Sequence, residues 1–375
     1  MTGSISLDPD TLMDSLTQFV LGAAVSTALL GPKLGPRKAA LIGGALGTLP
    51  DLDVFIPFDD PVDSFVYHRG WTHSVFVHAL AAPVVGEGLL RLFKGLRDHR
   101  GLVWLAVFLC LSTHAVIDAM TVYGTRLFWP LYPDPVGVGS VFIIDPVYTL
   151  PLLVAVIWAL CKSSWTTRLR NAVVAALALS TGYLGLSAAV QAHVERNARE
   201  IFAARGDVPD EVYAIATPFN ILFWKVIGLR QDSYDNLYLS LLDDDGPVEL
   251  YSHQRHPDLS ACLSESDAFR KLDWFSRGFY RAELVGDEVV VSDLRMGLTP
   301  GYAFRFVVGE RREGAIRPAG PRRLEDTVRV EEGDWTWLTT RLQGRPGVRQ
   351  AEAGTAASAV DVAWRSCSPE QADLG

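Results

Sequence analysis

Cysteine is scarce in this chain. There are four in 375 residues and none forms a C-x-x-C pair, which excludes a thiolate zinc ribbon and a disulfide-dense scaffold. Cys110 and Cys161 fall in apolar segments, where small buried thiols are common, and Cys262 and Cys367 can pair only if the polar half lies outside the cytoplasm. Basic charge is also short: 34 Lys and Arg against 43 Asp and Glu leave a net charge of -9. Without a basic patch or interleaved aromatics, no nucleic-acid partner is expected. The start, MTGSISLDPDTLMD, lacks the basic region of a signal peptide, so the first apolar segment is expected to stay in the protein. No internal repeat is present.

What is there is unevenly distributed. The chain is 49% hydrophobic with a mean hydropathy of +0.17, but nearly all long apolar stretches lie before residue 193. Six candidate spans follow: 16–31, 39–50, 72–92, 102–121, 147–161 and 171–191. A full crossing needs about 20 apolar residues, so 39–50 and 147–161 are short. The Gly-rich LIGGALGTLPDL of the former suggests a half-helix or re-entrant segment, tolerated where protein or a wet cavity satisfies the backbone. The expected fold is an α-helical integral membrane bundle of about six spans, one or two re-entrant, followed by a small α+β soluble domain. The expected divisions are 1–192, 193–350 and a mobile Ala/Ser-rich tail at 351–375.

Charge orients this array. Lys33, Arg37 and Lys38, then Arg91, Lys94, Arg97 and Arg100, then Lys162, Arg168 and Arg170 all fall on one side if six spans are real. The opposite loops hold Arg69 and Arg126 with many aspartates. The termini and residues 193–375 are then extracytoplasmic.

Metal-capable side chains gather on that outer side: Asp51 and Asp53 in TLPDLDVF, His68 and His73 in YHRGWTHS, and His114 with Asp118 in LSTHAVIDAM. Ionisable groups at membrane depth are costly and mark function by default. The i, i+4 spacing of His114 and Asp118 puts them on one helix face. Imidazole and carboxylate suit zinc, manganese or magnesium. Asp53, His68, His73, His114 and Asp118 are the expected ligands, with Asp51 as ligand or general base. Arg69 and Arg126 are the cations able to grip a phosphate.

Blander readings compete. Solvated carboxylates would explain Asp51 and Asp53, interfacial hydrogen bonding His68 and His73, and an intrahelical bond His114 and Asp118. His78 reads as a helix-packing residue, and His253 with His256 as a surface pair. Trp71, Trp104, Trp129 and Trp158 read as interface anchors.

MDSLTQFVLGAAV, GTLPDLDVF, YHRGWTHS, THAVIDAMTVYGTRLFWP and DPVYTLPLL, in that order, resemble the YdjM-like (DUF457) family of predicted membrane-bound metal-dependent hydrolases. ATPFNILFWKVIG at 216–228 resembles long members. The resemblance implies Asp51 and Asp53 for the family's Asp-Leu-Asp, His68 to Ser74 for its His-Arg-Gly motif, and His114 with Asp118 for its His-x-x-x-Asp. Many members have Thr-His where this chain has Thr17-Gln18. Here, then, the site has one histidine fewer, or Gln18 only positions a water.

The polar half reads as a helix and then strands: EVYAIATP, ILFWKVIGL, YDNLYLSLL, FYRAELVGDEVVVSDLRM and YAFRFVVGE, with a tight turn in LVGDEVVV. It carries no nucleophile elbow or phosphate loop. The expectation is a bacterial inner-membrane, zinc-preferring hydrolase acting on a lipid or lipid-linked phosphoester. Its rival is a non-enzymatic metal-binding protein or transporter using the same residues.

Overall fold

The computed structural model describes residues 9–244, 248–325, 331, 333–356 and 366–367. It divides into two units. One comprises the chain up to Ile56, Arg69–Val190 and Thr217–Ile221, and the other Pro57–His68, Gln191–Ala216 and Leu222 onward.

The first unit is helical. Helix α1 (Pro9–Leu34) is followed directly by α2 (Pro36–Thr48). The break falls at Gly35, whose φ of 86° suits glycine alone, and at Pro36, which opens α2 at a position needing no N–H. The glycines of α2 serve packing rather than a broken backbone: a Cβ on Gly43 would overlap Gly22 of α1, and one on Gly47 would lie 2.5 Å from the Gln18 carbonyl. Small residues permit this close approach where no hydrophobic drive exists between helices in lipid. A 3-10 turn (Pro50–Phe55) ends the α2 region, and α3 (Pro61–Tyr67) belongs to the second unit.

Helix α4 (Val75–Leu92) begins at Ser74, whose hydroxyl accepts from the Phe76 and Val77 amides. Next come α5 (Arg100–Met120) and α6 (Pro146–Cys161), the latter capped by Asp145. Helix α7 (Thr167–Ala204) runs out of this unit after Val190. The core joins Val20, Ala24, Leu46, Val107, Leu111 and Leu152, while Leu80, Val84 and Leu179 face outward, as a lipid-facing surface requires. Among the described residues, α1, α4, α5 and α7 are long and apolar enough to cross a membrane. The count is thus four rather than about six. Helix α2, at 13 residues, rises only about 20 Å against a hydrocarbon core of about 30 Å, and α6 has 16 residues.

The second unit carries two principal sheets. Strands β1 (Glu211–Ala216), β2 (Phe223–Leu229), β3 (Ser233–Ser240) and β4 (Leu250–Gln254) form an antiparallel meander with Val226 opposite Leu237. Helices α8 (Pro257–Ala261) and α9 (Asp267–Ser276) lead to β5 (Tyr280–Val285) and β6 (Glu288–Asp293), joined by the anticipated tight turn at Gly286-Asp287. A small ribbon, β7 (Gly297–Leu298) with β8 (Gly301–Tyr302), precedes β9 (Arg305–Arg312) and β10 (Ala315–Arg323). Then follow α10 (Asp334–Leu342), α11 (Gln350–Ala356) and β11 (Ser366–Cys367), giving the second sheet the order β11-β10-β9-β6-β5. Cys262 and Cys367 form a disulfide.

Helix α3 docks on α9 and the second sheet, with Phe65 edge-on to Phe275 at 4.7 Å between centroids and Asp63 paired to Lys271 at 2.5 Å. His253 departs from the surface reading: it is buried, and its Nε2 lies 3.0 Å from Glu352 of α11. The proposed mobile tail contains α11 and β11, and residues 357–365 and 368–375 lie outside the described residues.

Candidate metal centre

Three separate stretches of the helical unit bring four donor atoms together. Asp51 comes from the 3-10 turn after α2, His73 from a short turn before α4, and His114 and Asp118 from α5. His73 Nε2 lies 3.1 Å from His114 Nε2 and 3.1 Å from Asp118 Oδ2. His114 Nε2 is 3.3 Å from Asp118 Oδ2, and Asp51 Oδ1 is 3.4 Å from each imidazole. His73, His114 and Asp118 are almost completely buried, while the Asp51 side chain keeps 23% of its surface.

The surroundings fix which atoms face inward. His114 Nδ1 lies 2.5 Å from the Gly47 carbonyl and so must donate to it. Thr72 donates to Asp53 Oδ2 at 2.8 Å, leaving its oxygen to accept from His73 Nδ1 at 3.0 Å. With both Nδ1 atoms protonated, both neutral imidazoles turn an Nε2 lone pair to the centre. His78 holds the Thr72 carbonyl through Nε2 at 2.8 Å and so steadies the turn that carries His73. Burial works to raise the pKa of Asp51, but neighbouring His114 and His73 outweigh it and hold the carboxyl below its usual range. Asp51 is therefore ionised, as a ligand must be.

Asp53 sits behind this shell. Its Oδ2 accepts from the Arg69 amide at 2.9 Å as well as from Thr72. Arg69 adopts a φ of 58°, costly for a residue with a Cβ. That backbone is held from both sides, since the Arg69 carbonyl accepts from the Arg126 amide and the Thr125 hydroxyl, each at 3.1 Å. The guanidinium is thereby delivered to Asp118, with Nε 3.5 Å from Oδ2. Arg126 meets the motif through this main-chain bond. His68 caps the C-terminal end of α3 in the second unit and is not among the four grouped residues.

Gly47 and Thr72 were missed by sequence reasoning. A backbone carbonyl leaves no signature in residue identity, but Thr72 stood in view beside His73. Gln18 makes a direct contact: its Nε2 donates to Asp118 Oδ1 at 2.6 Å.

Residues 13–194 match the family model described as YdjM inner membrane protein. This half of the chain belongs to the YdjM family. No curated protein and no solved structure matches the chain. The YdjM segment contains all four grouped residues, Gln18 and the three stretches that carry them.

A cation fits this YdjM site on the chemistry of its donors. Asp51 Oδ1 and Asp118 Oδ2 are buried and, among the described residues, neither meets a hydrogen-bond donor. Two carboxylate oxygens and two imidazole lone pairs converge with no proton between them. Such acceptors are costly to bury alone, and a divalent ion satisfies all four at once. The four residues could hold a metal ion.

Proposed function

We propose that the protein is a membrane-bound metal-dependent hydrolase that cleaves a lipid or lipid-linked phosphoester at the outer face of the inner membrane. The observation that carries this reading is the convergence of four donors with no hydrogen-bond donor for either inward carboxylate oxygen. Their separations of 3.1–3.4 Å support zinc, because a tetrahedron with bonds of about 2.0 Å has edges of roughly 3.3 Å. Calcium, with bonds of about 2.3–2.6 Å, would need a wider cage.

When bound, the ion supplies Lewis acidity and a water of lowered pKa. His73, His114, Asp118 and Asp51 hold it. Asp51, the most exposed of the four, turns Oδ1 inward and keeps its other oxygen to take the proton of an attacking water. Arg69 grips the phosphate and neutralises charge developing on it. Arg126, tied to the Arg69 carbonyl, holds that residue in register.

A lipid substrate is supported by the chain beside these donors. Leu52, Val54 and Phe55 flank Asp51 and are 53%, 62% and 73% exposed, and Trp71 is 53% exposed. Apolar side chains next to a charged site suit the level of lipid headgroups. The extracytoplasmic side is supported by the basic clusters on the opposite loops and by the Cys262–Cys367 disulfide, which persists in an oxidising compartment.

The test uses detergent-purified protein assayed for metal content and for hydrolysis of phosphatidic acid and phosphatidylglycerol in mixed micelles. Bound zinc and turnover are expected, both lost in the double variant His114→Ala, Asp118→Ala, with activity down by about 10³-fold or more. Full metal loading with no hydrolysis of either phosphoester class would sink the enzyme reading and leave a metal-binding or transport role.

A further inference from the structure

We propose that the centre holds a single divalent ion, and that Gln18 enforces this by occupying the second oxygen of Asp118. The inference rests on the metal-binding reading above, though not on the reaction assigned to it.

Paired hydrolytic ions stand about 3.5–4 Å apart and clamp one substrate between them. Five of the separations among the four donors are only 3.1–3.4 Å, so the cage closes around one centre. A second ion would need another inward carboxylate oxygen. Asp118 Oδ1 is the nearest source, since its sister oxygen already faces both imidazoles. Gln18 points an amide N–H at that atom from 2.6 Å. The positive end of this dipole stands where a cation would have to enter.

Gln18 is not placed to swing aside. It is 1% exposed and lies on α1 where α1 and α2 touch through glycine. Gly47, the residue packed on the Gln18 carbonyl, also accepts from His114 Nδ1. One helix contact therefore sets a ligand histidine and the cap on a ligand aspartate together. The remaining carboxylate, Asp53, spends Oδ2 on Arg69 and Thr72. Arg69 then supplies, as a fixed guanidinium 3.5 Å from Asp118 Oδ2, the second positive charge that a two-metal site would take from its other ion. Gln18 is thus a positioning residue. It acts through Asp118 and need not touch substrate.

The experiment is metal stoichiometry on the full-length protein, stripped with chelator and reloaded with Co²⁺, read by elemental analysis and by electron paramagnetic resonance. One equivalent per chain with an uncoupled signal is expected. Two equivalents, or a spin-coupled pair, would overturn the inference while leaving the metal reading intact. No retained metal would remove both. Gln18→Leu, which deletes the cap, is expected to keep one equivalent with affinity about 10–100-fold weaker, and wild-type affinity there would refute the positioning role. Near-isosteric Gln18→Glu, which replaces the N–H with a carboxylate oxygen, is expected to take up a second equivalent. A Gln18→Glu protein that stays at one equivalent would show that Gln18 does not set the number.

Discussion

Two clusters of buried ionisable groups, one in each unit, look alike in burial and differ in how their oxygens are satisfied. In the second unit Glu352 is fully buried, with Oε1 accepting from Asn236 at 2.5 Å and His253 at 3.0 Å, and Oε2 from Tyr238 at 2.6 Å. Arg349 adds a charge at 3.5 Å. Burial works to raise the pKa of Glu352, yet His253, Tyr238 and Asn236 outweigh it and hold the carboxyl below its usual range. In the helical unit Asp118 Oδ2 and Asp51 Oδ1 face only imidazole lone pairs and one another. Burial of charge is common to both, so burial does not identify a binding site. The absence of donors does. A satisfied cluster fastens α11 to β3 and β4, whereas an unsatisfied one waits for a cation.

The comparison can be broken where the two clusters should respond in opposite ways. Glu352→Ala is expected to cost about 3–5 kcal/mol, because it strands several buried donors and a buried arginine. Chemical denaturation followed by tryptophan fluorescence of the second unit would report it, and a change under about 1 kcal/mol would remove the structural role. Cys262→Ser should cost nearly as much, about 2–5 kcal/mol, since the bridge closes a long stretch across a sequence separation of 105. Reductant should lower that same transition and leave bound metal in place. Asp118→Asn, by contrast, should abolish metal retention yet change metal-free stability by less than about 1 kcal/mol. The retained Oδ1 still accepts from Gln18, and an uncompensated buried charge is gone. Marked destabilisation of the metal-free protein would mean that Asp118 is structural, as Glu352 is.

A smaller effect follows from Lys225. Burial lowers its pKa to about 8, while its ammonium donates to the Leu294 and Gly297 carbonyls at 2.7 and 2.8 Å. With the folded pKa below the unfolded one, the unfolded chain binds more protons above pH 8, so this group's contribution rises with pH there. Buried Tyr238 and Tyr302, whose pKa values burial raises, reverse the trend above about pH 10. The denaturation midpoint of the second unit should therefore climb between pH 8 and 10, and Lys225→Met should flatten that climb.

Much of this was legible in the chain because it depends on local pattern. Apolar runs announced the helices around 16–31, 72–92, 102–121 and 171–191. Alternation announced β1, β2 and β3, and Gly286-Asp287 announced its hairpin. Strand β4 escaped notice because ELYSHQ carries His253, a polar residue that is buried only through Glu352, 99 positions away. At the site, spacing alone put His114 and Asp118 on one face. It could not rank Asp51 against Asp53, because a 3-10 turn rotates about 120° per residue, and two carboxylates two apart point different ways. It is the outward Asp53 that binds Thr72 and Arg69.

The sequence by itself determined the membrane-length helices, the membership of residues 13–194 in the YdjM family and the chemical kind of the ligands. These follow from composition and short-range periodicity, which every stretch carries within itself. Only the tertiary structure decided that Asp51 rather than Asp53 joins His73, His114 and Asp118, that His68 stands apart, and that Gln18 holds Asp118. Those outcomes depend on two helices touching through glycine and on one carbonyl at Gly47. Proximity of that kind joins residues 100 positions apart, and no local pattern encodes it.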